Sequence, residues 1–505
     1  MNKPTNTYGQ VLKSSALIGG SSLMNIGIGI IRTKALALLL GPAGVGLLGV
    51  FNSIADLARS IGTIGISSSG VRQVAEAAGS GDTLKLARTV KTLRWLSVVL
   101  GAAGALLLLA LAYPVSLFSF QDAGYTGSVA LLALAVFCGS VTAGQTALIQ
   151  GVRRIRDLAL NSVLGALYGT IASILIIYFF RRSGVVPSIV CVALAGVATS
   201  WWYSRKIHVE SVRVGFRGLS AEVGALLKFG VVFMASGVMT MAVGYLVRII
   251  VIRCLDEESA GYYQAAWALG GLYVGFILQA MGADFFPRLT SAAKDNRECN
   301  RLVNEQAEVS LLLAGPGLLA TLTFAPYVIQ VFYSSKFGPA VEVLRWICLG
   351  MILRIVTWPM GFILVAKGSR APFFWSELFT SAVQILLAWV CVRAFGLKGT
   401  GIAFFCGYLF YWGLIYCIVR SVSGFRWSPI NFKLGTIYGS LVLVYFVSWY
   451  WLPSPVMLAG GTLGTLLVGY FSSRRVCSLV PLDRFPGFAR RLILFLRLAA
   501  RPSQA

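Results

Sequence analysis

Charge is scarce in this sequence, and acidic charge is scarcer than basic. Only 12% of the 505 residues are charged, about half the share of an ordinary soluble domain. That excludes a disordered tail protein, a nucleic-acid-binding tail and an ordinary cytoplasmic enzyme. A single histidine, His208, leaves no histidine-bearing zinc or haem site. Nine cysteines are scattered, Cys138, Cys254, Cys348 and Cys406 among them inside apolar runs, with no CxxC spacing. They read as small core hydrophobes. No GxxxxGK[ST] loop, DxD or GxSxG occurs, so P-loop nucleotide hydrolysis and the nucleophile elbow are excluded. The expectation is a non-enzymatic protein with no catalytic residues, no cofactor and no metal.

What is there is apolar. Hydrophobic residues make up 57% of the chain before its 55 glycines are counted, and runs of membrane-spanning length fill nearly all of it. Fourteen spans are expected, near residues 15–40, 43–66, 95–118, 125–150, 159–180, 184–204, 229–252, 260–282, 309–333, 340–366, 373–393, 399–419, 434–452 and 455–472. No cleavable leader is expected, because the first apolar run, Ala16–Leu40, is too long for one. The 43 Lys and Arg divide as 31 on one side of the membrane, 6 on the other and 6 within spans. By the positive-inside rule both termini are then cytoplasmic. External loops are short, with no room for a polymerase or ligase site.

The chain also repeats itself. Leu12-Lys13 precedes Arg32 much as Leu227-Lys228 precedes Arg248, and each arginine is trailed by Ala-Gly (Ala43-Gly44, Ala260-Gly261) and a loop arginine, Arg72 or Arg288. Six spans lie between the copies, so both halves insert the same way, the parallel-repeat arrangement of some secondary transporters. The expected organisation is a six-helix lobe over 1–210, a second over 211–422, an appended helix pair over 423–472 and a basic tail over 473–505. Within the tail, Arg490, Arg497 and Arg501 fall within about 20° on a helical wheel. They suit an interfacial helix on anionic lipid; a solvated basic tail is the alternative. Gly271-x-x-x-Gly275 and Gly460-x-x-x-Gly464 are helix-packing patterns. Pro316, Pro326 and Pro359 are expected to kink spans nine and ten.

Ionisable residues at membrane depth are costly and tend to face a cavity or a partner. At depth within the spans six basic side chains (Arg32, Lys34, Arg59, Arg248, Arg345, Arg354) stand against two acidic ones, Asp56 and Glu377, with Glu342 near the outer interface. Lys34 lies about 200° around the helix from Arg32, so the two cannot share a cavity. Asp56 and Arg59 are three apart, a spacing that permits an intrahelical pair. Arg248, near the end of its span, could snorkel outward. Arg345 has Glu342 one turn away as its expected partner, which leaves Arg354 the better placed for a cavity. Glu377 has no opposite charge within one turn, which suits a group that takes up and releases a proton; gating at the cytoplasmic mouth is the other reading. A cavity lined mainly by arginine attracts an anion, and the guanidinium fork matches phosphate. The diphosphate-binding candidates are therefore Arg32, Arg248 and Arg354, with Arg59 as a fourth. Glu377 and Asp56 are the coupling or gating candidates.

Two stretches carry a family resemblance. The first is Lys34-Ala-Leu-Ala-Leu-Leu-Leu-Gly-Pro-Ala-Gly-Val-Gly-Leu-Leu-Gly. The second runs from Ser335-Lys336-Phe337 through Leu344-Arg345-Trp346 and Ile363-Leu364-Val365-Ala366-Lys367 to Ser376-Glu377-Leu378. With the helix pattern they cover roughly residues 8–420, and there the sequence resembles the Wzx-type O-antigen flippases of the multidrug/oligosaccharidyl-lipid/polysaccharide exporter superfamily. The resemblance implies an all-α fold of two parallel-repeat six-helix lobes, MATE-like and V-shaped, that works by alternating access. It implies transport of undecaprenyl-diphosphate-linked oligosaccharide across the bacterial inner membrane by a monomeric unit. Partners would be a polysaccharide polymerase and a chain-length regulator, with anionic lipid around and no nucleic acid. The family places a basic residue where Arg354 stands and a glutamate where Glu377 stands. The appended pair departs from twelve-span relatives and points towards fourteen-span peptidoglycan-precursor flippases. A multidrug exporter of the same superfamily remains a second reading; a membrane glycosyltransferase or O-antigen polymerase is a third, opposed by the repeat and the short external loops.

Overall fold

Lipid cannot hydrogen-bond a peptide group, so a spanning chain must satisfy its backbone internally. The result here is a series of helices. The structure, a computed structural model, describes residues 7–63, 65–80, 82–207 and 237–479, and no strand occurs among the described residues. Where they are described, the fourteen expected spans fall mainly on helix, with turns or bends at Gly65, Leu111, Phe324, Tyr333 and 449–452. Among the described residues nine apolar segments are long enough to cross a bilayer, or ten with one bent pair. Three of the nine, Leu17–Thr63, Ile155–Ser204 and Ala371–Ser423, contain two successive crossings. The chain divides into two compact units, one of residues 1–261 with 332–336, the other of 262–331 with 337–505.

In the first unit, α1 (Thr7–Thr63) is a single run interrupted at Gly41, which takes φ 68° and ψ −173°. Glycine enters that region without a steric penalty, and Pro42 behind it has no N–H for the preceding turn. The break separates the first two crossings. α2 (Ile66–Gly79) occupies the loop before α3 (Thr83–Ala110), whose start is capped by Asp82 accepting from the Leu84 and Lys85 amides. α4 (Ala112–Phe120), α5 (Thr126–Gly151), α6 (Ile155–Phe180), α7 (Val185–Ser204) and α8 (Gly237–Cys254) follow. α5 packs against α2, α3 and α7, while α6 packs against α1 and α7. Tyr245 and Ile249 of α8 join Phe51 and Ile54 of α1, Leu132 and Val136 of α5 and Ile189 of α7 in one buried cluster. The Tyr245 hydroxyl also lies 2.6 Å from that of Ser119. Although α8 lies in the expected second lobe, it therefore packs with the first unit. At the end of this unit Arg182 is paired to Glu257 at 2.5 Å, with the Tyr125 hydroxyl 3.4 Å from the same carboxylate. Gly261 lies so close to the Pro42 carbonyl that a methyl there would collide with it.

α9 (Glu257–Ser291) leads into the second unit. α10 (Asn296–Thr323), capped by Asp295, meets α11 (Ala325–Phe332) at an 82° bend. Pro326 sits just past that bend, as its inability to continue a helix predicts; Pro316 and Pro359 lie inside α10 and α12. α12 (Ala340–Ala366) packs on α10 and α14 (Gly399–Ser423), and α13 (Arg370–Phe395) on α14. The appended pair, α15 (Pro429–Ser448) and α16 (Ser454–Leu479), is tied into this unit at several levels. Arg475 pairs with Glu308 at 3.1 Å, Asn431 donates to the Asn304 carbonyl at 2.8 Å, and Phe446 meets Trp346 with ring centroids 4.7 Å apart. The expected interfacial helix around Arg490–Arg501 and the second copy's Leu227-Lys228 lie outside the described residues.

Candidate functional site

The ionisable residues within the spans meet different fates, decided by what each finds within reach. Asp56 and Arg59 form the pair their spacing permits, at 2.7 Å, with both side chains about half exposed. The stem of Arg59 runs over Gly139 of α5, where a Cβ would meet its Cδ at 2.7 Å. Arg248 donates from Nη1 to the Gly244 carbonyl at 2.7 Å. Its guanidinium thus turns back toward the middle of α8, away from the helix end a snorkelling side chain would seek. Arg354 is half-buried on α12, and its side chain makes no hydrogen bond or ion pair among the described residues. Glu377 of α13 is half-buried, and its carboxylate accepts from the Tyr411 hydroxyl of α14 at 3.4 Å.

Arg345 corrects an expectation. Glu342, one turn away, was its expected partner, but that carboxylate lies 3.9 Å from Lys398 Nζ and accepts from the Tyr450 hydroxyl at 3.3 Å. Arg345 is 6% exposed, and its guanidinium lies 3.7 Å from the centre of the Trp449 ring. Its Nε and Nη2 meet no acceptor. The ring face, a cation–π contact at the end of α15, has taken the place of the carboxylate. Removing one member of such a buried arrangement strands the other. Trp449→Ala is therefore expected to destabilise the protein more in the native background than in an Arg345→Met background. The difference should be about 1–2 kcal/mol in a double-mutant cycle of reversible unfolding in mixed micelles. Equal costs in the two backgrounds would show that ring and guanidinium do not interact.

Arg32 occupies the most telling place. It lines an open-sided cavity of about 600 Å³ bordered by α1, α5, α6 and α7, all within the first unit. Its Nε is buried without a hydrogen-bond partner, and the residue forms no ion pair among the described residues. Seven residues earlier, and so on the same helix face, Asn25 gives its amide to Ser162 of α6 at 2.7 Å and leaves its carbonyl oxygen buried and unused. Asn161 is 7% exposed, with its own side-chain oxygen equally unused. Thr142 and Thr199 complete the polar wall opposite. Among the lining residues Arg32 alone carries charge; none is acidic. Lys34 lies outside the lining, as its position around the helix implies.

The cavity joins Arg32 to residues that a search for charge passes over. Asn25, Asn161 and Thr142 are neutral and lie in runs that read as apolar, so hydropathy gives no warning of them. One signal was available: Asn25 and Arg32 share a helix face, and a buried amide on the face of a buried arginine is a reason to look for a cavity there. Among the described residues no cluster of His, Cys, Asp or Glu could hold a metal ion.

A bundle of apolar helices in two units, with a polar cavity holding one cation inside one of them, defines a polytopic membrane protein. Known structures agree on the fold. An inward-facing multidrug resistance MATE family transporter of the MOP superfamily matches with TM-score 0.64 and 18% identity over 80% of this chain and 94% of its own. The lipid II flippase MurJ, in an inward closed conformation, also matches with TM-score 0.64, at 12% identity over 92% of this chain and 99% of its own. The fold is thus MATE-like and all-α. The chain belongs to the family of polysaccharide biosynthesis proteins, whose model matches residues 35–342. A curated relative, the lipid III flippase of Escherichia coli strain K12, is 23% identical over 419 residues, covering 80% of this chain and 96% of the relative.

Proposed function

We propose that this protein flips undecaprenyl-diphosphate-linked oligosaccharide from the cytoplasmic to the outer leaflet of the bacterial inner membrane. The observation that carries the reading is Arg32: a cation without a counter-ion, in an acid-free cavity walled by hydroxyls and amides. Such a site waits for an anion, and the guanidinium fork suits a phosphate. With both termini cytoplasmic, the cavity opens the cytoplasmic half of the first unit, since Ile18 and Ser21 near the start of α1 and Thr199 near the end of α7 line it. Substrate from the inner leaflet would meet it there. The relative named a lipid III flippase and the family of polysaccharide biosynthesis proteins support the same substrate class. Arg248 and Arg354 are the further phosphate candidates. Arg59, already neutralised by Asp56, is the weakest. A polymerase and a chain-length regulator would act on the delivered repeat unit. A multidrug exporter of organic cations is disfavoured by a positive charge standing in the cavity with no acid beside it.

The direct test is reconstitution. Proteoliposomes holding the purified chain should move a fluorescent lipid-linked oligosaccharide between leaflets, read by an impermeant quencher, while vesicles without protein should not. No movement above the protein-free rate would reject the reading. The orientation has its own check. Single cysteines at Gly124 and Ser454 should react with impermeant thiol reagents in sealed cells, and cysteines at Ser80 and Ser291 only after permeabilisation. Labelling of the latter two in sealed cells would reverse the topology and the direction of export.

A further inference from the structure

Several hydroxyls in the walls of the first-unit cavity are already committed as donors within their own helices. Thr142 and Thr199 give their hydroxyl protons to the carbonyls of Cys138 and Ala195, at 2.9 and 3.0 Å, within their own helices. Ser22 gives its proton to Ile18 at 2.9 Å. Asn25 spends its amide on Ser162. Two buried acceptors of the lining have no donor at all: the amide oxygens of Asn25 and Asn161. Buried acceptors of this kind are costly until something donates to them. Arg32 is the opposite case, a fixed cation lacking an acceptor for its Nε.

A free anion would satisfy Arg32 and leave the amide oxygens unfed. A cation would find oxygens, but it would stand beside Arg32 with no carboxylate to balance the pair of charges. A ligand that is anionic at one end and rich in O–H or N–H donors at the other satisfies both. Asn25 and Arg32 sit on one face of α1 about 10 Å apart along its axis, which separates the two demands. A volume near 600 Å³ lies in the range of pockets that enclose one small ligand.

Resting on the flippase reading, we propose that this cavity is a sugar-phosphate site. Arg32 takes the phosphate, and Asn25 and Asn161 accept hydrogen bonds from the hydroxyl or amide groups of the attached sugar ring. The full-length protein in nanodiscs is titrated with two probes, glucose 1-phosphate and inorganic phosphate, by isothermal titration calorimetry. Glucose 1-phosphate should bind about tenfold or more tightly, as two added hydrogen bonds imply. Asn161→Leu should bring it down to the level of inorganic phosphate while leaving inorganic phosphate unchanged. Asn25→Ala, a gentler change, should narrow the same ratio. Arg32→Gln should weaken both probes by a similar factor. Equal affinities for the two probes in the native protein, or a ratio untouched by both asparagine variants, would overturn the site. So would sodium binding, read by sodium NMR, that Asn161→Leu abolishes. The two readings fail separately. A protein that flips lipid-linked oligosaccharide but binds both probes alike rejects the pocket only; one that shows the ratio but flips nothing rejects the flippase reading only.

Discussion

Arg32→Ala is expected to stop flipping, by about thirtyfold or more, without lowering the stability of the protein. The two halves of that expectation have one cause. Arg32 makes no hydrogen bond or ion pair among the described residues, and its Nε is buried with nothing to bind. A side chain without partners leaves none stranded when it is removed, and taking an uncompensated buried charge away is neutral or stabilising. Under the proposed function, the partner of Arg32 would be the anion of the substrate. Losing one member of a desolvated charge pair costs about 2–5 kcal/mol of binding, which sets the thirtyfold floor. Lysine should rescue partly, since it keeps the charge and loses the two-pronged geometry. The checks are a quencher-based flipping assay and a thermal melt on the same preparation. A variant that flips at the native rate removes Arg32 from the site. A variant that melts several degrees lower would give it a structural role instead. The contrast is Arg345, held over Trp449 and 6% exposed, whose loss should show in the melt first.

The helices were legible because lipid leaves the backbone few choices. Fourteen apolar runs announce themselves by length, and even the break between the first two falls on Gly41-Pro42, where residue chemistry requires one. Local pairs were legible too: Asp56 and Arg59 are close in sequence, and no tertiary contact was needed to bring them together. The same local rule failed at Arg345. Glu342 is one turn away, but Lys398 and Tyr450 draw its carboxylate. The indole that receives the guanidinium belongs to a helix appended far along the chain. Nothing in the spacing encodes that encounter. The cavity was hidden for a related reason. Four helices contribute to it, and its unpartnered oxygens come from asparagines that neither charge nor hydropathy singles out. Charge at depth pointed to Arg32, but what surrounds Arg32 required the fold.

Glu377→Gln is expected to uncouple transport from a pH gradient. A flippase with no nucleotide-hydrolysing motif either draws on an ion gradient or runs downhill as its product is consumed, and the first route needs a group that changes charge. Of the two acidic residues singled out in the spans, Asp56 is already paired to Arg59 at 2.7 Å. Glu377 has no cation within ion-pair distance among the described residues. Its neighbour is the Tyr411 hydroxyl at 3.4 Å, which can donate to a carboxylate and accept from a carboxylic acid. That contact tolerates both protonation states, as a proton carrier requires. Tyr411 is itself confined: its oxygen would lie 3.3 Å from a Cβ placed on Gly361 of α12. In proteoliposomes with an imposed pH gradient, the native protein should flip faster than without one, within the about 5–150-fold range of a coupling free energy between sites. Glu377→Gln should lose that acceleration and keep a slow basal rate. Tyr411→Phe, which removes the donor and leaves the carboxyl, should keep the acceleration. A Glu377→Gln protein that flips at the native rate and still answers the gradient would exclude this carboxylate as the coupling group. Asp56→Asn would then be the next substitution to try, with Arg59 freed of its counter-ion as the expected side effect.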